Sequence, residues 1–129
     1  QVAQWLAKQP EVEQVLYPAL PDAPGHALWK RDFAGACGLF AVQLRPMAEQ
    51  AVTAMLDGMN LYGMGCSWGG FESLILLTNP GKDRTAKPWQ GRGPLLRLHI
   101  GLENPEDLIA DLEAGFERMR SELGAVCAK

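Results

Sequence analysis

The sequence predicts an α+β fold, a two-layer sandwich in which helices cover one small, mostly antiparallel sheet. Segments with strand-like patterns alternate with segments of helical periodicity, in the order helix, strand, strand, helix, strand, strand, helix. The chain has 129 residues, of which 47% are hydrophobic, and this is enough to bury the core of a single domain. We therefore expect one domain built on one sheet, without an internal repeat.

The first third of the chain is predicted to hold a helix, a strand and a further helical turn. Apolar residues at helical spacing stop at Pro10, which predicts a helix within residues 1–9. Residues 12–17 are rich in β-branched and aromatic side chains, which is typical of a strand. After a proline-rich loop, residues 26–33 are expected to contain a turn of helix with its charged side chains exposed.

A second strand and an amphipathic helix are predicted next. Residues 38–44 are apolar and are bounded by glycine on one side and Pro46 on the other, as expected for a strand. Within residues 47–59, apolar side chains recur every three or four positions, which predicts a helix that ends at Gly58 and Asn60. Methionines on such a stripe are more typical of core packing than of a metal or cofactor site.

Residues 63–79 contain a glycine-flanked polar turn that leads directly into an apolar strand. Glycines at 63, 65, 69 and 70 allow positive φ or a close backbone approach, and either an ordinary turn or a ligand-contacting segment would explain them. Ser67 and Trp68 lie between these glycines and offer a hydroxyl and a large ring with one N–H. No Lys and Ser/Thr pair follows the last glycine, so the segment is not a P-loop.

Residues 79–94 are predicted as a solvated loop, because prolines, glycines and charged side chains alternate there. The alternative is a nucleic-acid contact in which Trp89 stacks on a base. The net charge of −3 disfavours that alternative, since nucleic-acid-binding domains usually carry a basic face.

The next predicted strand, residues 95–102, has two different faces. Period-two alternation places on one face the apolar residues Leu96, Leu98, Ile100 and Leu102, and on the other Leu95, Arg97, His99 and Gly101. Arg97 is then either an exposed, solvated side chain or a planar fork for a carboxylate or phosphate, and the spacing leaves both possibilities open. His99 is expected to be hydrogen-bonded support, because no second metal ligand lies nearby in the sequence.

A long closing helix is predicted after Asn104, which is followed by a proline and two acidic residues, a typical helix start. We expect the helix to end at Gly124. Its predicted buried stripe consists of Leu108, Ile109, Leu112, Phe116, Met119 and Leu123.

Composition argues against several classes of protein. The three cysteines, Cys37, Cys66 and Cys127, are odd in number and widely spaced, so we expect reduced thiols, a cytoplasmic protein and no metal site. No apolar run approaches the roughly 20 residues of a membrane span, and no leader is recognisable. The chain starts without Met, which suggests a piece of something longer, although a tag or processing would give the same start.

A family resemblance is carried by two segments, SWGGFESLI at residues 67–75 and RLHIGLENPEDLIADL at residues 97–112, and also by HALWKR at residues 26–31. They resemble the C-terminal domain of the pyridoxal-phosphate enzymes of cysteine and methionine metabolism. The resemblance implies that residues 1–129 are the small domain of a fold-type-I enzyme, whose large cofactor-binding domain is absent from this chain. At positions 68 and 99 the chain resembles the branch of the family that cleaves at the β-carbon. Relatives that act at the γ-carbon usually carry Leu in place of Trp68 and Ser in place of His99.

The resemblance also implies a reaction and a site. Arg97 is expected to bind the substrate α-carboxylate with help from Ser67 and Trp68, and the Ser67 hydroxyl is expected near the cofactor-linked lysine as the catalytic residue of this chain. The implied reaction cleaves the Cβ–S bond of cystathionine to give homocysteine, pyruvate and ammonia in methionine biosynthesis. Relatives often carry Tyr where Cys66 stands, and we expect Cys66 to be a small packed side chain.

The resemblance places the cofactor outside this chain. None of the five lysines, Lys8, Lys30, Lys82, Lys87 and Lys129, lies in the family's cofactor-lysine context. We therefore predict that pyridoxal phosphate serves the full-length enzyme, a homotetramer by resemblance, and that this chain alone binds no cofactor and is inactive.

Two alternatives remain open. The first is another member of the same family, namely a cystathionine γ-lyase, a γ-synthase or a sulfhydrylase. The second is a stand-alone α+β module that captures an amino acid through Arg97 and Ser67.

Overall fold

The sheet contains four antiparallel strands, β1 (Val12–Leu16), β2 (Leu39–Leu44), β3 (Leu74–Thr78) and β4 (Leu95–His99). The computed structural model describes the backbone of residues 1–127 and the side chains of residues 1–125. The strand order is β1-β2-β4-β3, so β4 lies inside the sheet and β3 lies at its edge.

Four helices accompany the sheet, namely α1 (Val2–Leu6), α2 (His26–Asp32), α3 (Glu49–Asp57) and α4 (Pro105–Cys127). The helices α3 and α4 pack closely because Gly115 leaves room for Met55 of α3, whose Cγ lies 3.1 Å from where a Cβ at 115 would be. The indole of Trp5 in α1 meets the ring of Phe116 edge-on at 5.9 Å. The predicted two-layer α+β sandwich is therefore confirmed.

The core lies on one face of the sheet. Leu96 and Leu98 pair in register with Val42 and Phe40 on β2, and all four side chains are buried. The helical side of this core includes the fully buried members of the predicted α4 stripe, Leu108, Leu112, Phe116 and Met119. The periodicities that predicted these faces are thus confirmed by burial.

Arg97 lies on the opposite face of the sheet. It pairs in register with Ala41 on β2 and with Leu76 on β3. Because neighbouring strands flank it on both sides, its Cα position is fixed by two ladders of hydrogen bonds. The prediction that Arg97 points away from the apolar face of β4 is confirmed.

The end of β4 differs from its prediction. Leu102 was expected on the buried face, but it is 86% exposed, and the strand ends at His99. The chain leaves the ladder there because the amide of Leu102 donates to the carbonyl of Phe71 at 2.8 Å. Alternation in the sequence continued past the last residue that pairs within the sheet.

The start of α4 is as predicted and its end is not. Asn104 caps the helix, since its side-chain oxygen accepts from the amide of Glu106 at 2.9 Å. The helix continues through Gly124 to Cys127, so the predicted stop is wrong. Glycine ends a helix when it adopts positive φ, and among the described glycines only Gly25 and Gly69 do so.

The loop between β3 and β4 contains one short 3-10 turn, Pro80–Lys82. Trp89 is half-buried, and the guanidinium of Arg84 lies 5.4 Å from its ring centroid. The ring face that a base would need is therefore partly occupied by the protein itself. No helix within residues 1–127 is both long enough and apolar enough to cross a lipid bilayer.

An ion pair ties α4 to the segment before β1. Arg120 donates to both carboxylate oxygens of Glu11, at 2.5 and 3.1 Å. The hydrogen bond from Arg120 is the main reason that the pKa of Glu11 lies below its ordinary value of 4.5, although partial burial opposes this shift.

We expect Glu11→Gln to lower the free energy of unfolding at neutral pH by about 0.2–1 kcal/mol, since Arg120 is partly exposed and the pair is screened. A lowered carboxyl pKa contributes stability fully above the unfolded value of 4.5 and loses it as pH falls through the folded value. The difference between the variant and the parent should therefore shrink as pH falls below 4.5 and vanish only below the lowered folded-state pKa of Glu11, as measured by urea unfolding across pH. Glu13→Gln, at an exposed site on β1, is the control. A difference that stays constant down to pH 3 would contradict the assignment to this pair.

Candidate functional site

Residues 63–73, here called the glycine turn, lie over the face of β4 that carries Arg97. The Nη2 atom of Arg97 donates to the carbonyl oxygen of Cys66 at 2.8 Å and lies 3.4 Å from that of Gly65. Ser67 is the next residue along the turn. The structure therefore brings Arg97 and the Ser67 segment together on one side of the sheet.

The base of the glycine turn is closed by its own backbone. The amide of Gly63 donates to the carbonyl of Ser73, and the amide of Ile75 donates to the carbonyl of Gly63, both at 3.0 Å. Gly69 adopts a φ of 102°, a conformation that strongly favours glycine. At least one of the four glycines noted in the sequence is therefore required by the backbone.

The guanidinium of Arg97 is only partly used by the protein. Among residues 1–125, only Nη2 finds hydrogen-bond acceptors, so Nε and Nη1 keep their N–H groups unpaired. No carboxylate of the described side chains forms an ion pair with it. A half-buried guanidinium with unpaired N–H groups can donate hydrogen bonds to a carboxylate.

Ser67 and Trp68 are both exposed at the tip of the turn. Four large apolar side chains on and beside the turn are exposed by more than half: Met64 by 64%, Trp68 by 56%, Phe71 by 69% and Leu102 by 86%. Exposed apolar side chains grouped in this way are typical of a contact surface.

Cys66 differs from its prediction. It is exposed rather than packed. The reason is that the turn contacts the sheet through its main chain, since the carbonyl of Cys66 binds Arg97 while its thiol faces away from the interior. Cys37 is also exposed, and both thiols are free, whereas the side chain of Cys127 lies outside the described residues.

His99 supports the turn from below, as predicted. Its Nε2 lies 3.0 Å from the carbonyl oxygen of Gly70 and 3.3 Å from the amide of Gly69. Either tautomer therefore finds a backbone partner at Nε2, while the buried Nδ1 has none among the described residues. No group of three or more His, Cys, Asp or Glu within the described chain is placed to hold a metal ion.

A second support of the turn was missed in the sequence. The carboxylate of Glu103 accepts from the amide of Ser73 at 2.7 Å and from its hydroxyl at 2.8 Å. The same hydroxyl accepts from the amide of Gly101 at 2.9 Å. Burial raises the pKa of Glu103, but hydrogen bonds from Ser73 and from its own amide outweigh burial, so this pKa is lowered. The only signals in the sequence were a serine directly before an apolar strand and a glutamate directly after the strand predicted at residues 95–102.

The sequence of this chain is similar to a protein family and to several known enzymes. Residues 1–117 match a family model described as Cys/Met metabolism PLP-dependent enzyme. Cystathionine beta-lyase of Salmonella typhimurium is 48% identical over an alignment of 122 residues, which covers 92% of this chain and 31% of that protein. L-alanine/L-glutamate racemase of Wolbachia pipientis is 43% identical over an alignment of 121 residues, which covers 92% of this chain and 30% of that protein.

A solved structure shares the fold. The crystal structure of cystathionine gamma synthase from Xanthomonas oryzae pv. oryzae, in complex with cystathionine, matches with a TM-score of 0.77 at 36% sequence identity. The match covers 93% of this chain and 32% of that one. The chain thus spans about 31% of the length of curated relatives such as the Salmonella protein.

Proposed function

Because this chain belongs to the family of Cys/Met metabolism PLP-dependent enzymes, we propose that it is the C-terminal domain of a carbon–sulfur lyase that cleaves cystathionine at the β-carbon. In this proposal a large cofactor-binding domain of the same protein completes the active site. The products are homocysteine, pyruvate and ammonia. This chain contributes the wall that binds the substrate carboxylate.

The position of Arg97 is the observation that carries the proposal. Its Nη2 is held by the Cys66 carbonyl at 2.8 Å, while Nε and Nη1 make no hydrogen bond to residues 1–125. Holding one nitrogen orients the plane of the guanidinium, and the unpaired N–H groups can then bind the α-carboxylate of an amino acid. A charge-assisted contact of this kind is among the stronger hydrogen bonds in proteins.

Ser67 and Trp68 complete this wall in the proposal. Ser67 is exposed beside the residue that holds Arg97, so its hydroxyl is available to a lysine or substrate of the completed site. Trp68 supplies an exposed ring that can pack against the substrate or the large domain. The exposed Met64, Phe71 and Leu102 are then the surface against which the large domain packs.

The residues of this chain do not by themselves fit pyridoxal phosphate. That cofactor is held as a Schiff base by a lysine within a cleft, and it supplies the electron sink for the cleavage. Lys8, Lys30, Lys82 and Lys87 are all exposed, and Lys129 lies outside the described residues. The cofactor and its lysine therefore belong, in this proposal, to the part of the enzyme beyond this chain.

The assembly and location of the enzyme are also proposals. We infer a homotetramer from the family resemblance. We infer a reducing, cytoplasmic setting because the two described thiols, Cys37 and Cys66, are exposed and unpaired.

The second candidates within the family are racemisation of an amino acid and the γ-synthase reaction. The racemase is 43% identical to this chain, and the structural match is a γ-synthase. The shared domain alone therefore does not select one reaction. Trp68 and His99 support cleavage at the β-carbon. A carboxylate site at Arg97 would serve all of these reactions, because each acts on an amino acid.

The complete enzyme is expected to convert cystathionine to homocysteine and pyruvate. The measurement is product analysis by chromatography, with a separate assay for racemisation of alanine. Release of cysteine would assign the complete enzyme to the γ-cleaving branch of the family. Racemisation of alanine without release of a thiol would show that the enzyme is a racemase and not a lyase.

The control is this chain alone mixed with pyridoxal phosphate. We expect no Schiff-base absorption band, because its described lysines are exposed and unsupported. A stable band at stoichiometric cofactor would contradict the division of the site between two domains.

A further inference from the structure

Besides its contact with His99, the glycine turn is attached to the domain at two further places by different residues. Near its start, the carbonyls of Gly65 and Cys66 meet Arg97. Near its end, Ser73 is bound to Glu103, 30 positions away in the sequence. The second attachment lies outside the carboxylate site and has no role in the proposed reaction.

The attachment at Ser73 is built from charge-assisted bonds. Ser73 is completely buried, so water cannot replace the partners of its hydroxyl. Glu103 accepts from the amide and the hydroxyl of Ser73 with one oxygen each. That hydroxyl in turn accepts from Gly101, so three segments meet at one side chain. Bonds to a carboxylate are roughly twice as strong as bonds between neutral groups.

Next to Ser73 and Glu103, the backbone of Gly101 lies against the carbonyl of Phe71 in a contact that requires glycine. A Cβ at residue 101 would lie 2.1 Å from the carbonyl oxygen of Phe71. The amide of Leu102 donates to that same oxygen at 2.8 Å. The segment after β4 is therefore pressed directly against the end of the glycine turn.

We propose that Glu103 is a positioning residue that sets where the glycine turn lies over β4, and so fixes how Arg97 presents its free N–H groups. This inference rests on the proposed role of Arg97 as the carboxylate ligand. Loss of Glu103 removes the side-chain link to Ser73 and leaves only backbone bonds at the end of the turn. The turn can then shift, so that the carbonyl of Cys66 moves away from Nη2 and the guanidinium loses its orientation. Glu103 itself touches neither substrate nor cofactor.

The test uses the complete enzyme with cystathionine as substrate. Glu103→Ala is expected to raise KM about tenfold, the lower end of the effect of losing Arg97 itself. The value of kcat should stay within about twofold, because the lost binding is shared by ground and transition states. Glu106→Gln, at an exposed carboxylate on the first turn of α4, is the matched control and should change neither parameter.

A structural role alone would give a different result. It would lower kcat through loss of folded enzyme and leave KM unchanged, and that outcome overturns the proposal. If Glu103→Ala does not fold, Ser73→Ala removes the hydroxyl that links the three segments, and the same rise in KM is expected of it.

A double variant separates this inference from the proposed function. In an Arg97→Lys background, Glu103→Ala should raise KM no further, because the two residues act through one contact. Equal, additive effects would overturn the positioning role. If Arg97→Ala leaves KM unchanged, the proposed carboxylate role of Arg97 fails, and the present inference fails with it. If Arg97→Ala raises KM and Glu103→Ala does not, only the present inference fails.

Discussion

Arg97→Ala in the complete enzyme is expected to raise KM for cystathionine about 10- to 100-fold, because it removes a charge-assisted contact of about 1.5–3 kcal/mol. The carboxylate of the substrate is not altered by the reaction, so its contact stabilises ground and transition states alike. The loss should therefore appear mainly in KM. Steady-state kinetics at saturating cofactor measures it.

Arg97→Lys tests the geometry of the contact rather than its charge. Lysine keeps the charge but lacks the planar fork, so an intermediate KM is expected. Arg92→Ala, at an exposed position of the loop before β4, is the control for loss of a positive charge. Wild-type kinetics in Arg97→Ala would show that the carboxylate is bound elsewhere.

Asp111→Ala is expected to produce a large loss of stability. Asp111 is buried in α4, and its carboxylate accepts from the amides of Asn60 and Leu61, at 2.8 Å from the latter. These hydrogen bonds are part-buried, and each bond to a charged group contributes about 1.5–3 kcal/mol, which suggests a loss of about 2–4 kcal/mol in total because water can reach the freed amides. Urea unfolding of this chain, followed by circular dichroism, measures the change.

Two further variants make this test specific. Asp111→Asn keeps one acceptor oxygen and should lose less stability than the alanine variant. Glu113→Ala, at an exposed position on the same helix, should change the free energy of unfolding by less than about 0.5 kcal/mol. Equal losses in the Asp111 and Glu113 variants would show that the hydrogen bonds from Asn60 and Leu61 to Asp111 contribute little to stability.

Local patterns in the sequence were sufficient to predict most of the fold. The four-residue spacing of Leu108, Leu112 and Phe116 predicted the buried face of α4, and all three are buried. Alternation predicted that Arg97 would lie on the opposite face from Leu96 and Leu98, which the strand register bears out. Such predictions succeed because one face of each element is determined by burial.

The features that sequence patterns missed are contacts between distant positions. Glu103 meets Ser73 and Asp111 meets Leu61 across separations of 30 and 50 residues, and an acidic residue in a helix or loop usually indicates a solvated surface. Leu102 was misplaced for a related reason. Its amide pairs with Phe71, far away in the sequence, and no local pattern encodes where a strand stops pairing.

The order of the strands divides the proposed carboxylate site into two parts of unequal rigidity. Arg97 stands on an interior strand with neighbours on both sides, whereas the glycine turn precedes the edge strand β3. Because the turn meets Arg97 through main-chain carbonyls, replacing the side chains of Cys66 or Trp68 leaves the hydrogen-bond acceptors of the guanidinium in the chain. If Arg97 binds the carboxylate as proposed, the side chains at the tip of the turn are therefore free to determine which reaction the completed site favours.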